Sequence, residues 1–471
     1  APLKIPKRPT AGSRAMPWPI HSPPQHPPVP PKPSFIHHFF AGRPGRLLCL
    51  LALGVLAGCQ SPVRLMPTPV GYASTDVDPF EKLDVKQRTT EVPVLYATNR
   101  RVLIEKPEPL HTIIPSDDLR LGIAHVRVGD EKLDWETLHR LSTSDEPGDR
   151  PIVQLESLEQ LAVLGPDDKV VTSEEAQQFF AIVNKALAAS PNTELLVYVH
   201  GSNNTMPRAA AQAAQFRHFT GRRMVVLAFM WPSAGNILRY LTDVNNAAAT
   251  VDSFARLLEL VAANTTASKI DVLAYSAGAQ VTSPALLKLA TTPKAGESRE
   301  ALRQRLRLGQ IYYAAPDIDT RRFVDELAQY IDITDRVSVA ANLNDSVLRF
   351  AALVGRASRA GRPNPGDLNA EQSDFLVEAT RQLRFDLIKV DPNDIPNLPV
   401  SSHAFWYDDP WVSGDLLVQF LLNAAPERRG LNEQKSTLGS KFWTFPNDFN
   451  VRVLRLVGPG SELDPNRSRR P

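Results

Sequence analysis

The sequence predicts an α/β fold with a mostly parallel central sheet and helices on both faces. Three observations carry this. Short apolar runs bounded by turn signals recur from residue 91 onward, segments with helical spacing lie between them, and small or polar residues gather where each run ends.

Residues 92–97 (VPVLYA) and 121–128 (LGIAHVRV) read as the first strands. Residues 173–187 have helical spacing, with Ser173 as the N-cap and Glu174 and Glu175 in the first turn, where carboxylates meet the positive end of the helix dipole. Six further runs read as strands: 195–199 (LLVYV), 224–230 (MVVLAFM), 270–274 (IDVLA), 310–315 (QIYYAA), 336–341 (RVSVAA) and 386–390 (DLIKV). Helices are expected over 209–218, 245–263 and 281–289, and a later one over 415–422. Residues 356–384 break the rhythm with a Gly/Arg/Pro-rich stretch and an amphipathic helix over 369–383. They form either a lid over a site or a surface excursion. Within 426–471 one more strand-like run stands at 451–457.

The start of the chain is different material. Thirteen of its 41 prolines lie in residues 1–44, and such a segment cannot build a core. The first Met is Met16, and the stretch upstream of it is assigned no function. Arg43 and Arg46 precede an apolar run over 47–57, followed by Gly58-Cys59, which is the layout of a secretory signal. The run is too short to span a bilayer as a helix. Leu56-Ala57-Gly58-Cys59 resembles a bacterial lipobox, which implies a lipid on Cys59; the bland reading is a plain signal peptide with an incidental Cys. Gln60 in the next position implies sorting to the outer membrane. The expected location is the cell envelope, lipid-anchored, on the periplasmic side of that membrane. Residues 59–90 read as a tether and 91–425 as the folded domain, with 426–471 a C-terminal extension.

Charge and cysteine usage narrow the function. Residues 1–58 hold seven Lys or Arg and no acid, leaving 46 basic and 51 acidic residues in the remainder, so nucleic acid is not an expected partner. Cys49 and Cys59 are the two cysteines of the chain, one in the segment to be removed and one at the proposed lipid site. Thiol catalysis and Cys-ligated metal therefore have no residues to use in the mature protein.

Ala274-Tyr275-Ser276-Ala277-Gly278 lies between an apolar strand and a helix. It follows the G-x-S-x-G pattern with Ala in the first small position. In a nucleophile elbow the Ser occupies a strained turn, so the residues two before and two after it must be small. The α/β-hydrolase order is Ser, then acid, then His. Ten histidines occur, and only His403 follows Ser276, in a loop just past the 386–390 strand. It is the candidate general base. Two carboxylates at strand ends could orient it, Asp345 after 336–341 and Asp317 after 310–315; Asp345 is favoured because the last strand before the His403 loop lies immediately downstream. The oxyanion donors are expected to be the N–H of Ala277 and that of Ser202, in the loop after 195–199 where Gly201 allows a close turn. His200 precedes the nucleophile and reads as structural. Asn203 and Asn204 either tie the loop or touch substrate.

With Tyr198-Val199-His200-Gly201, Asn203-Asn204, Trp231-Pro232-Ser233, the elbow, Ala314-Ala315-Pro316-Asp317 and the late Ser402-His403, the chain resembles the bacterial alpha/beta hydrolases grouped as domain-of-unknown-function 900. The resemblance covers about residues 91–425 and implies the α/β-hydrolase fold and a Ser–His–acid triad. Tyr275 stands where that family usually has His, and Ala277 where it usually has Met. A backbone N–H survives the second change.

The expected activity is hydrolysis of a small-molecule or lipid ester through an acyl-enzyme on Ser276, with no metal or cofactor implied. A hydrolase-fold lipoprotein without catalysis, serving as a binding or assembly module, is the alternative, and an amide-cleaving peptidase a third reading. The sequence leaves substrate and oligomeric state open.

Overall fold

The computed structural model describes residues 61–458 except 74–76, 106–108, 147, 169, 383 and 438. The Pro-rich extension, the signal-like segment and Cys59 lie outside the described residues.

Among these, eleven strands form one sheet in the order β10-β11-β9-β8-β7-β6-β4-β5-β1-β2-β3. They are β1 Val94–Val102, β2 His111–Val128, β3 Val153–Leu164, β4 Glu194–Val199, β5 Val225–Phe229, β6 Lys269–Tyr275, β7 Leu308–Ala314, β8 Thr334–Ala341, β9 Phe385–Lys389, β10 Asn432–Lys435 and β11 Lys441–Thr444. Pairing is parallel from β1 through β5, β4, β6, β7, β8 and β9 to β11, and antiparallel for β1–β2, β2–β3 and β10–β11.

The central strands are continuous apolar runs because both faces are covered. In β4, Leu196 and Tyr198 enter the core on one side of the sheet while Leu195, Val197 and Val199 enter the other. β6 divides likewise, Leu273 and Tyr275 against Val272 and Ala274. The helices Met206–Phe219 and Pro410–Leu422 cover the first face, and Glu174–Ala189, Tyr240–Asn264, Ala279–Thr291 and Thr320–Tyr330 the second. This is the α/β-hydrolase fold. The N-cap expected at Ser173 is in place, its side chain accepting from the Ala176 N–H.

β4 has β5 on one side and β6 on the other. The chain leaves β4 in one direction and returns in the opposite one, so a crevice opens at the carboxyl ends of β4 and β6. Tyr198-Val199-His200-Gly201 and the elbow sit at those ends.

Four expectations change. Residues 61–90 are not a free tether: Leu65, Met66, Tyr72, Val77 and Phe80 are buried, and the Met66 N–H donates to Gln215 Oε1 at 3.0 Å. Their apolar residues follow no strand or helix period, so the pattern conceals what tertiary packing uses. Residues 426–458 are not an appendage, since β11 pairs with β9. The run expected as a strand at 451–457 is the helix Phe449–Val457. It alternates apolar and polar at its start, but Phe449, Val453 and Val457 recur at helical spacing and are the residues buried. The amphipathic part of 356–384 is the helix Ala370–Arg381, which serves as the crossover that the parallel pair β8–β9 requires. It packs on β9 and on Thr320–Tyr330. Residues 359–361 reach the loop after β7, where Ala360 and Gly361 donate to the Ile318 and Pro316 carbonyls. The strand β3 and the helix Trp135–Thr143 went unread in the sequence.

No helix of the described residues is long and apolar enough to cross a membrane.

Candidate active site

β6 ends at Tyr275, and Ser276 then takes φ = +51°, a left-handed conformation that a residue with a Cβ adopts only under constraint. A short 3-10 turn, Ser276–Gly278, leads into the helix Ala279–Thr291. A Cβ on Gly278 would stand 2.5 Å from the Val199 carbonyl oxygen and 2.9 Å from that of His200, so the elbow closes on β4 only with glycine there. A Cβ on Gly201 would stand 2.8 Å from the Ser276 Cβ. The backbone of the Gly201-Ser202 loop therefore lies directly against the nucleophile candidate, with the Ala277 N–H on the elbow itself.

His403 arrives on the loop after β9. Its Nε2 lies 2.8 Å from Ser276 Oγ, and its Nδ1 lies 2.6 Å from Asp345 Oδ2. With a carboxylate at Nδ1, the ring proton belongs there and Nε2 accepts from the Ser276 hydroxyl. Asp345 is fully buried and caps the helix Ser346–Gly355; its Oδ1 accepts the N–H groups of Val347 and Leu348. One oxygen is thus fixed by the helix and the other turned to His403. The His403 loop is held by Asn342, whose Nδ2 donates to the carbonyls of Ser402 at 2.9 Å and Val400 at 3.3 Å. Tyr275, buried at the elbow, places its ring 5.3 Å from that of His403.

Asp317 is near but turned elsewhere. Its backbone N–H donates to the Ser276 carbonyl at 3.0 Å, which ties the β7 loop to the elbow. Its Oδ2 accepts from the Tyr240 hydroxyl at 2.8 Å, and Arg359 Nε stands 3.3 Å from Oδ1 as an ion pair outside directed hydrogen-bond geometry. Burial pushes the Asp317 carboxyl up; Arg359 and Tyr240 oppose this. Of the two carboxylates left open by the sequence, the structure sets Asp345 against His403 and Asp317 against Tyr240 and Arg359.

The loop after β4 is braced by the Trp231-Pro232-Ser233 motif together with Asp243 and Arg100, two residues the sequence reading did not single out. Asp243 Oδ2 accepts from the Asn203 N–H at 2.9 Å and the Ser233 hydroxyl at 3.0 Å, and Oδ1 accepts from the Ala234 N–H at 2.6 Å. Ser233 Oγ in turn accepts from the Asn204 N–H. Asn203 itself has φ = +55°. The Asn204 side chain points back to the Gly201 and Ser202 carbonyls, so it ties the loop. The Trp-Pro-Ser segment supplies the remaining brace: Trp231 Nε1 donates to the His200 carbonyl at 2.6 Å, and Arg100 reaches the carbonyls of Trp231 and Ser233.

His200 is structural in its surroundings. Its ring stacks on Trp231 at 5.2 Å, and its Nδ1–H donates to the Gly201 carbonyl. Burial lowers its pKa to about 3, so it is neutral at any ordinary pH.

Among the described residues, no group of three or more His, Cys, Asp or Glu side chains is arranged to hold a metal ion. No curated protein and no solved structure matches the chain. Residues 174–401, a stretch that contains Gly201, Ser276 and Asp345 and stops two residues before His403, match the family described as alpha/beta hydrolase of unknown function (DUF900).

Proposed function

We propose that the chain is a serine hydrolase of the cell envelope, anchored through a lipid on Cys59, that cleaves carboxylic esters through an acyl-enzyme on Ser276. The hydrogen-bonded series Ser276–His403–Asp345, starting from a serine with φ = +51°, is the observation that carries this reading. Ser276 Oγ attacks the ester carbonyl as its proton passes to His403 Nε2. Asp345 holds the ring in place and stabilises the imidazolium. The N–H groups of Ala277 and Ser202 receive the oxyanion. Collapse expels the alcohol, which takes the proton from His403; water then repeats the sequence on the acyl-enzyme and frees the acid.

A fluorophosphonate probe tests the nucleophile: the wild type is expected to be labelled and Ser276→Ala not. Equal labelling of both sinks the assignment. The anchor has a separate test, because Cys59→Ala should leave the protein unacylated and release it from the membrane fraction.

A further inference from the structure

Large apolar side chains are exposed around this site among the described residues. β1 is parallel to β5, so its far end reaches the same edge of the sheet as the ends of β4 and β6. There the β1–β2 connection exposes Leu103 and Leu110. After β5 the chain exposes Leu238 and Leu241, after β8 Leu343 and Leu353, and beside His403 Val400. These side chains are between 47% and 75% exposed.

The helix Ser346–Gly355, capped by Asp345, is the most telling element. Its sequence SVLRFAALVG contains no acidic residue, and Leu353 is 75% exposed although the helix stands directly beside the site. A helix so apolar and so poorly covered is at home against hydrocarbon.

Charge points the same way. Arg239, Arg349 and Arg356 are exposed among these apolar side chains. Of the described carboxylates near this edge, Asp243, Asp317 and Asp345 are buried, whereas Glu105 is exposed and paired with Arg120, and Asp408 is exposed. The edge therefore presents apolar and cationic groups together, which suits a bilayer with anionic headgroups.

Ser61 is also held near this edge. The Ser61 carbonyl accepts from Arg208 Nη1 at 2.8 Å, and Arg208 belongs to the first turn of the helix Met206–Phe219, immediately after the Gly201–Thr205 loop.

We propose that the edge of the sheet carrying Ser276 docks on a lipid bilayer containing anionic headgroups, and that the ester cleaved is an acyl lipid presented from that bilayer. The substrate half of this rests on the hydrolase reading above; the docking half does not.

The test uses the full chain with Cys59→Ser, so that no acyl anchor contributes, and vesicles of phosphatidylcholine with or without phosphatidylglycerol. Sedimentation should show binding that strengthens with phosphatidylglycerol. Leu103→Glu/Leu238→Glu/Leu353→Glu should bind roughly tenfold more weakly or worse, with its rate of Ser276 labelling by a soluble fluorophosphonate unchanged. Hydrolysis of a vesicle-borne acyl ester should fall with binding. Equal vesicle binding by the parent and the triple variant overturns the proposal, as does no binding by either, or a patch found covered by a second copy in ultracentrifugation. Failure of wild-type labelling would strike the hydrolase reading alone, because the vesicle measurement does not depend on it.

Discussion

Asp243 Oδ2 accepts the backbone N–H of Asn203 at 2.9 Å and so fastens the loop after β4 to the helix Tyr240–Asn264. Asn203 follows Ser202 and has φ = +55°, so this bond fixes the peptide next to the proposed Ser202 donor. Burial pushes the Asp243 carboxyl up, and the donors around it oppose that rise; its contacts are made with polar groups of the loops and none with His403. Asp243→Ala is expected to lower kcat by about 10- to 100-fold, less than outright loss of an oxyanion donor, with KM little changed. Steady-state kinetics on a soluble ester, with circular dichroism to verify folding, checks this. An unchanged kcat beside a lowered Tm would make Asp243 a structural tie only.

The two carboxylates near the elbow separate by mutation. On the proposed mechanism Asp345→Asn reduces kcat by on the order of 10⁴-fold, because Asn favours the wrong tautomer of His403 while still able to cap the helix. Asp317→Asn should cost about tenfold or less, acting through Tyr240 and Arg359. A larger loss for Asp317→Asn than for Asp345→Asn would reverse the assignment.

The asymmetry between those residues explains what the sequence could reveal. Ser276 and His403 were legible because the elbow is a local steric pattern and a single histidine follows it. Asp345 was favoured over Asp317 only for its place before the last strand, since both follow strands and the sharper distinction lies in remote partners, Tyr240 and Arg359. Asp243 was invisible: in the first turn of a helix, an Asp reads as a dipole or solvent residue, and only the fold brings it to Asn203, Ser233 and Ala234. The parallel strands were legible from unbroken apolar runs. The packing of Leu65, Tyr72 and Phe80, and the helical state of Phe449–Val457, depended on surfaces elsewhere in the chain.

His200 predicts a pH effect on stability. Its pKa is about 3 when folded, against an ordinary value near 6.5, so the unfolded chain takes up a proton first as pH falls. The stability that neutral His200 preserves is complete above pH ~6.5 and is lost progressively below it. By pH 4 the loss from this group is roughly 3 kcal/mol. His200→Asn lacks that titration. Urea unfolding of both proteins from pH 7 to pH 4 should therefore show the wild type's advantage shrinking by about that amount. An advantage constant across the range would place the His200 pKa near its ordinary value.

The elbow itself should show strain that is released when function is given up. At φ = +51° a Cβ costs roughly 1–2 kcal/mol, and the Ser276 Cβ also lies against the backbone of Gly201. Ser276→Ala retains both features. Ser276→Gly removes them, at an entropy cost of about 0.5–1 kcal/mol in the unfolded chain. The glycine variant is accordingly expected to match or exceed the alanine variant by up to ~1 kcal/mol in urea unfolding, the reverse of their order inside an ordinary helix or strand. An alanine variant clearly more stable than the glycine one would mean that the turn leaves the left-handed region once the hydroxyl is gone. The conformation would then be maintained by the bond to His403 rather than by the packing of Gly278 on β4.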